Sequence, residues 1–307
     1  MMGPVRCVPC AAPEARAQRR YPVVEASGSY REIGEHIGRA ASAQIRALVD
    51  MYADDDAKPG AAPVSVEVAL AAARAECPHL VEEIEGMAAG AGVSVASLLR
   101  LNGGGASMPW QGAEEGEGGC TSLARVEPGQ SVSFLGQNWD NEPRVDPYTV
   151  VTIRRPTGAP ATMCVGRAGL IGYIGFSSSG FGILLNALRG EGASGLPLYF
   201  NVRRILESTT LPVAVATLRA SQRDRPNNLT IVSPEGAAHL EVTPARVGVV
   251  RPEGGEGELA ELRSGTVLHT NHYLEPGLQH INAKFPEIIQ SRSALLPRWS
   301  CAWFLTA

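Results

Sequence analysis

Apolar residues return every three or four positions between residues 29 and 52, at Ile33, Ile37, Ala41, Ile45, Leu48 and Tyr52. That is the repeat of a helix with one buried face. A second helical stretch, rich in alanine, covers 65–92, and a third opens on Ser94 as an N-cap and stops at the glycines 103–105. The first third of the chain is therefore predicted to be mostly helix. Residues 106–119, "ASMPWQGAEEGEGG", are small, polar or acidic without any period, which is the composition of an exposed loop. Beyond them the period changes to that of strands, at 121–126, 131–137, 148–154, 162–165, 170–177 and 180–185, read as an antiparallel meander. Helices at 198–208 and 211–221 follow, then strands at 228–232, 237–243, 245–250 and 266–270. Blocks of helices and strands without βα alternation predict an α+β layered architecture.

Composition narrows the range of functions. A net charge of −4 without any Lys/Arg-rich run offers no footprint for nucleic acid or anionic lipid. No apolar run approaches a bilayer span, and the opening "MMGPVRCVPCAAPEARAQRRYP" lacks the apolar core of a secretory signal. The expectation is a cytoplasmic protein with a small-molecule or peptide-like partner, and with neither a nucleic-acid nor a membrane partner. The six cysteines are too scattered for a disulfide scaffold. Cys7 and Cys10 form a CxxC, but no second ligand pair stands near it, so neither a zinc site nor any other metal is expected. Residues 1–20 read as a disordered leader.

Cys120 invites a chemical reading. It follows Gly118 and Gly119 at the far end of the acidic loop, where a strand pattern begins. A cysteine in that place is commonly a small buried hydrophobe. The glycines, however, permit a tight turn and leave the Gly119 carbonyl open to the neighbouring thiol. Attack there, an N→S acyl shift and hydrolysis would free Cys120 as a new N-terminus. One residue would then hold both nucleophile and base, because an α-amino group titrates at roughly 7.7–8.0. No catalytic histidine is required, and His239, His269, His272 and His280 form no recognisable Cys/His pattern.

Gly119-Cys120-Thr121-Ser122, then "LGQNWD" at 135–140, then "HTNHYL" at 269–274, resemble in order and spacing the acyl-coenzyme A:6-aminopenicillanic acid acyltransferase family, peptidase family C45 of the N-terminal nucleophile hydrolases. The similarity runs from about residue 21 to 292. It implies a four-layer αββα sandwich with mostly antiparallel sheets, formed as one domain over 21–307. Self-cleavage would divide it into 21–119 and 120–307, with the two chains staying together. The resemblance also implies that Cys120 is the nucleophile, that Asp140 supports its amine, and that Asn271 donates to an oxyanion. No cofactor is implied, although acyl-coenzyme A could serve as a co-substrate. Read alone, Asp140 is a turn or cap residue, Asn271 ends a strand, and Trp139 and His272 are packing groups. Asp140 stands across a hairpin from Cys120, which suits the implied role.

Relatives continue past the serine-arginine pair at 291–292 into further strands with a late arginine, a role Arg292 cannot be given. The tail "WSCAWFLTA" reads as a truncated or frame-shifted end, which would leave the C-terminal part incomplete. Three functions compete: amide hydrolysis or acyl transfer through an acyl-thioester, a truncated and catalytically inactive family member that keeps the fold for binding or has no function, and a bile-salt or penicillin-amidase type of hydrolase. The long helical segment ahead of Cys120 argues against the bile-salt group.

Overall fold

The computed structural model of the chain describes residues 21–56, 65–104, 119–126, 133–139, 143–250, 265–284 and 303–306. Strand β1 (Val23–Gly28) leads into helix α1 (Tyr30–Ala40). Ser29 starts that helix with a reciprocal capping box, accepting from the Glu32 amide while the Glu32 carboxylate accepts from the Ser29 amide. The helix predicted over 29–52 is two helices, since α1 ends at Ala40 with Ala41 as its C-cap and α2 (Ser42–Asp56) restarts at once. Both lay their apolar stripe on the same core, so the periodicity passes over the break. The stretch 65–92 is likewise divided into α3 (Val66–Glu76) and α4 (Pro78–Ala91). Pro78 has no amide hydrogen to continue α3 and suits the first turn of α4. The short α5 (Val95–Leu99) is capped by Ser94, as expected.

Among the described residues the strands form two sheets. The larger runs β1, β4 (Thr149–Pro156), β5 (Thr162–Arg167), β6 (Ile174–Ser177), β7 (Gly182–Ala187), β8 (Asn227–Ser233), β9 (Gly236–Val242), β10 (Val247–Val250). Helices α6 (Leu198–Leu206) and α7 (Leu211–Ala220) lie between β7 and β8 in the chain. The smaller sheet runs β11 (Gly265–His269), β2 (Cys120–Val126), β3 (Ser133–Trp139), β12 (Trp303–Thr306). Every pairing is antiparallel except β1 with β4.

The predicted meander is thus divided between sheets, with the β2–β3 hairpin in one and β4 to β7 in the other. The periodicity does not predict strand β1, because its inward set is only Val24 and Ala26. The strand expected at 170–177 is confined to β6, and residues 170–173 form a loop.

Strands β2 and β3 face β7 and β8, while α1, α4 and α6 cover the opposite face of the larger sheet. The α+β sandwich expected from the sequence is what the chain forms. Helix, large sheet and small sheet are its layers among the described residues. The helix side holds the main core, with Ile33, Ile37, Leu80, Ile84, Met87 and Phe200 sealed inside. A smaller core of Ala124, Leu135, Leu184, Val232, Ala237 and Val267 fills the space between the sheets. Helices α1 and α4 meet through Gly34 and Gly38 on one and Gly86 and Gly90 on the other. A Cβ at Gly34 would stand 2.0 Å from the Glu83 carbonyl oxygen. Among the described residues no single helix is long and apolar enough to cross a membrane. Cys7 and Cys10 lie outside the described residues.

Candidate active site

Cys120 is the first residue of β2, preceded by the buried Gly119. Burial alternates along the strand, with Cys120, Ser122 and Ala124 inside, so these three face the larger sheet. The pairing of β2 with β11 places His269 opposite Ser122. The chain leaving β11 therefore passes the start of β2, and Asn271 arrives level with Cys120. The Cys120 amide donates to Oδ1 of Asn271 at 2.8 Å, and Nδ2 of Asn271 donates to the Ala187 carbonyl at 2.8 Å. An amide hydrogen can only donate and a carbonyl oxygen can only accept, so both contacts fix the same orientation of the side chain. Asn271 thus ties together the start of β2, the end of β7 and the loop after β11.

Gly119, Cys120 and Asn271, expected to act together, are together in space. Asp140 lies outside the described residues; its neighbour Trp139 is the β3 residue directly opposite Cys120. Paired residues of an antiparallel ladder share a face, so the Trp139 side chain stands beside the Cys120 side chain. Gln137, two residues back on that face, donates to the Leu185 carbonyl of β7 at 2.6 Å and holds the small sheet to the large one.

Below Cys120 is a buried polar network that no motif in the sequence announces. Ser122 donates to Oδ1 of Asn186 at 2.6 Å and meets the Thr230 hydroxyl at 2.7 Å. Nδ2 of Asn228 reaches the same two acceptors, Oδ1 of Asn186 at 2.9 Å and Oγ1 of Thr230 at 3.1 Å. Thr230 continues to Nδ1 of His239 at 2.8 Å. The His239 ring packs edge-on against His269, centroids 4.9 Å apart. His269 meets the Thr270 carbonyl through Nδ1 and Glu241 through Nε2, each at 2.7 Å. Glu241 also receives the amides of Leu274 and Glu275, which fixes the loop that carries Asn271.

Burial, helped by neighbouring His269, pushes His239 well below its ordinary value, so that ring is neutral. In sequence these residues sit on alternate positions of ordinary-looking strands. The available hint is that β8 and β9 place Asn228, Thr230, His239 and Glu241 among apolar neighbours without any exposed face. His239, His269 and His272 direct their bonded nitrogens to Thr230, Glu241 and residue 270, in keeping with the absence of a Cys/His pattern.

Comparison with known proteins finds similar chains. A curated relative, the 40 kDa form of acyl-coenzyme A:6-aminopenicillanic-acid-acyltransferase from Emericella nidulans, is 28% identical over 271 residues, covering 84% of this chain and 72% of that one. A solved structure, an ortholog from Caenorhabditis elegans of N-acylethanolamine-hydrolyzing acid amidase, aligns with a TM-score of 0.40 at 16% identity, over 59% of this chain and 88% of that one. The family model described as acyl-coenzyme A:6-aminopenicillanic acid acyl-transferase matches residues 126–296, more than half of the sequence, and the chain belongs to that family.

Proposed function

We propose that this chain is a self-cleaving cysteine enzyme of the N-terminal nucleophile type, which breaks or exchanges amide bonds through an acyl-thioester on Cys120. The reading is carried by one contact, the bond from the Cys120 amide to Asn271. The Gly119–Cys120 peptide group is held from the nitrogen side, beside a buried thiol.

In maturation Sγ attacks the Gly119 carbonyl carbon. A C–S bond forms, the C–N bond breaks, and the Cys120 nitrogen takes the thiol proton and leaves as an amine. Water then cleaves the thioester, giving Gly119 a carboxylate and restoring the thiol. In turnover the neutral α-amine accepts the thiol proton and Sγ adds to the substrate carbonyl. Collapse expels the substrate amine with that proton. Water, or a second amine, takes the acyl group from sulfur.

Asp140, next to Trp139, would orient the ammonium form of the α-amine. Asn271 would hold the nitrogen through Oδ1 during maturation. Its Nδ2 carries a second hydrogen, beyond the one given to Ala187, with which to meet an oxyanion, an interaction typically worth ~3 kcal/mol in the transition state. The Emericella relative is named for acyl-coenzyme A and 6-aminopenicillanic acid; for this chain we infer acyl-amides and acyl-thioesters as the substrate class. Once cut, the two chains are expected to stay associated, because β1 pairs with β4 and α1 and α4 seal the large sheet.

Intact-mass measurement tests the reading: two fragments divided between Gly119 and Cys120 are expected, and a single uncut chain from Cys120→Ala. A wild-type chain that folds and stays whole would sink it.

A further inference from the structure

Arg167, the last residue of β5, is 6% exposed. It donates to the Tyr52 hydroxyl at 2.6 Å and to the Tyr199 hydroxyl at 3.4 Å, with its guanidinium 5.9 Å from the centre of the Tyr52 ring. The groups that face its charge among the described residues are Tyr199, Tyr52 and Tyr173, and none is a carboxylate. The other buried arginines are compensated. Arg154 and Arg203 share Glu83, and Arg223 donates to the carbonyls of Thr243, Leu218, Arg219, Ser221 and Pro244. A guanidinium has five hydrogens to give and a full charge, and a buried cation without a counter-charge is expensive to keep. Burial pushes the Tyr173 phenol well above its ordinary value, so it supplies no negative charge.

Among the described residues, the rings beside Arg167 lead to the nucleophile. Trp139 stands opposite Cys120, the Trp139 and Tyr173 rings are 5.3 Å apart, and Tyr173 meets Tyr199 edge-on at 5.2 Å. Tyr173 also lies within electrostatic reach of Cys120. Its hydroxyl, unlike those of Tyr52 and Tyr199, has no hydrogen-bond partner among the described residues. The sequence makes room for this ring: a Cβ at Gly166 would come within 2.9 Å of the Tyr173 Cβ.

We propose that Arg167 recognises a carboxylate on the acyl-amide substrate, with Tyr173 as a second donor, so that the enzyme prefers anionic, N-acyl-amino-acid-like amides to neutral ones. This rests on Cys120 being the nucleophile. A carboxylate can take two parallel guanidinium hydrogens, a geometry that a lysine cannot reproduce.

The test uses N-phenylacetylglycine and N-phenylacetylglycinamide, which differ only in that charge. The wild-type protein is expected to favour the carboxylate by roughly 10- to 100-fold in kcat/KM. Arg167→Met should bring that ratio near one, and Arg167→Lys should lower it less. Calorimetry of both compounds with the Cys120→Ala protein gives a second measure that needs no turnover. The wild-type comparison requires no variant at position 167, so it decides the matter even where such a variant misfolds. If the wild type treats the two compounds alike in turnover and the Cys120→Ala protein binds them alike, the proposal is overturned. If neither compound is turned over in a Cys120-dependent way, the thiol mechanism falls, and the binding preference alone judges Arg167.

Discussion

The main-chain amide of Cys120 donates to Oδ1 of Asn271 at 2.8 Å, and the same side chain donates on to Ala187. Replacing Asn271 by alanine removes the acceptor that holds the Gly119–Cys120 amide in place. We expect Asn271→Ala to slow the appearance of the two fragments by roughly 10²- to 10³-fold, the loss typical of one preorganised polar contact at a reacting centre. Asn271→Asp keeps an acceptor toward Cys120 but offers no hydrogen to Ala187, so it should cleave at an intermediate rate. A time course on denaturing gels reads both, and an Asn271→Ala chain that matures like wild type would remove Asn271 from the reaction.

Glu83 on α4 is fully buried between two arginines. Its Oε1 receives Nε of Arg154 at 2.6 Å, and Oε2 lies 3.4 Å from Nη2 of Arg203, a charge contact without hydrogen-bond geometry. Removing one partner of such a group leaves charge stranded in a dry interior. Glu83→Gln is expected to destabilise the fold by about 3–5 kcal/mol, measured by urea unfolding. A change under about 1 kcal/mol would show that water reaches the cluster.

Gly34 and Gly86 make the opposite case from an ordinary helix glycine. In an isolated helix, Gly→Ala stabilises by about 1 kcal/mol. Here a Cβ at Gly34 would be 2.0 Å from the Glu83 oxygen, and at Gly86 2.2 Å from the Arg31 oxygen, both of them rigid backbone. Gly34→Ala and Gly86→Ala should each lower stability by about 1–3 kcal/mol or more, as overpacking does. Gly92, whose added Cβ would meet open space, should lose only the cost of its left-handed backbone, about 1–2 kcal/mol. Thermal midpoints of the three variants decide the order.

What the sequence made legible follows from how local each signal is. The helices and most strands announce themselves by period, and Gly119, Cys120 and Asn271 by motif. The spacing Gly-x-x-x-Gly at 34–38 and again at 86–90 was also present, yet its meaning depends on α1 and α4 lying against each other. Glu83 reads as an ordinary surface position of a helix until Arg154, from a strand 71 residues away, turns out to need it. Arg167 and its tyrosines are drawn from α2, β5, α6 and the loop before β6, so no window of sequence contains them. Periodicity marks which side chains point inward. It does not mark which inward polar groups find one another.

His239 gives the fold a pH dependence of known sign. Its ring meets Thr230 through Nδ1, while Nε2 has no well-formed hydrogen bond among the described residues, although the Leu268 backbone lies against the ring; the charged and titratable neighbours among the described residues are His269 on β11, Glu241 on its own strand and His272 beyond. Burial and His269 hold its titration well below the ordinary value. The unfolded chain therefore takes up a proton near pH 6.5 that the native state refuses, and stability present above that pH is lost as pH falls below it. Each unit of that window costs about 1.4 kcal/mol for one group. Asparagine at 239 can still reach Thr230 but does not titrate. His272 is also depressed and is unchanged in the variant, so the difference between the two proteins isolates His239. Unfolding free energies at pH 7, 6 and 5 should fall more steeply for wild type than for His239→Asn. Parallel slopes would mean that the buried ring accepts its proton in place, with Glu241 close enough to compensate it.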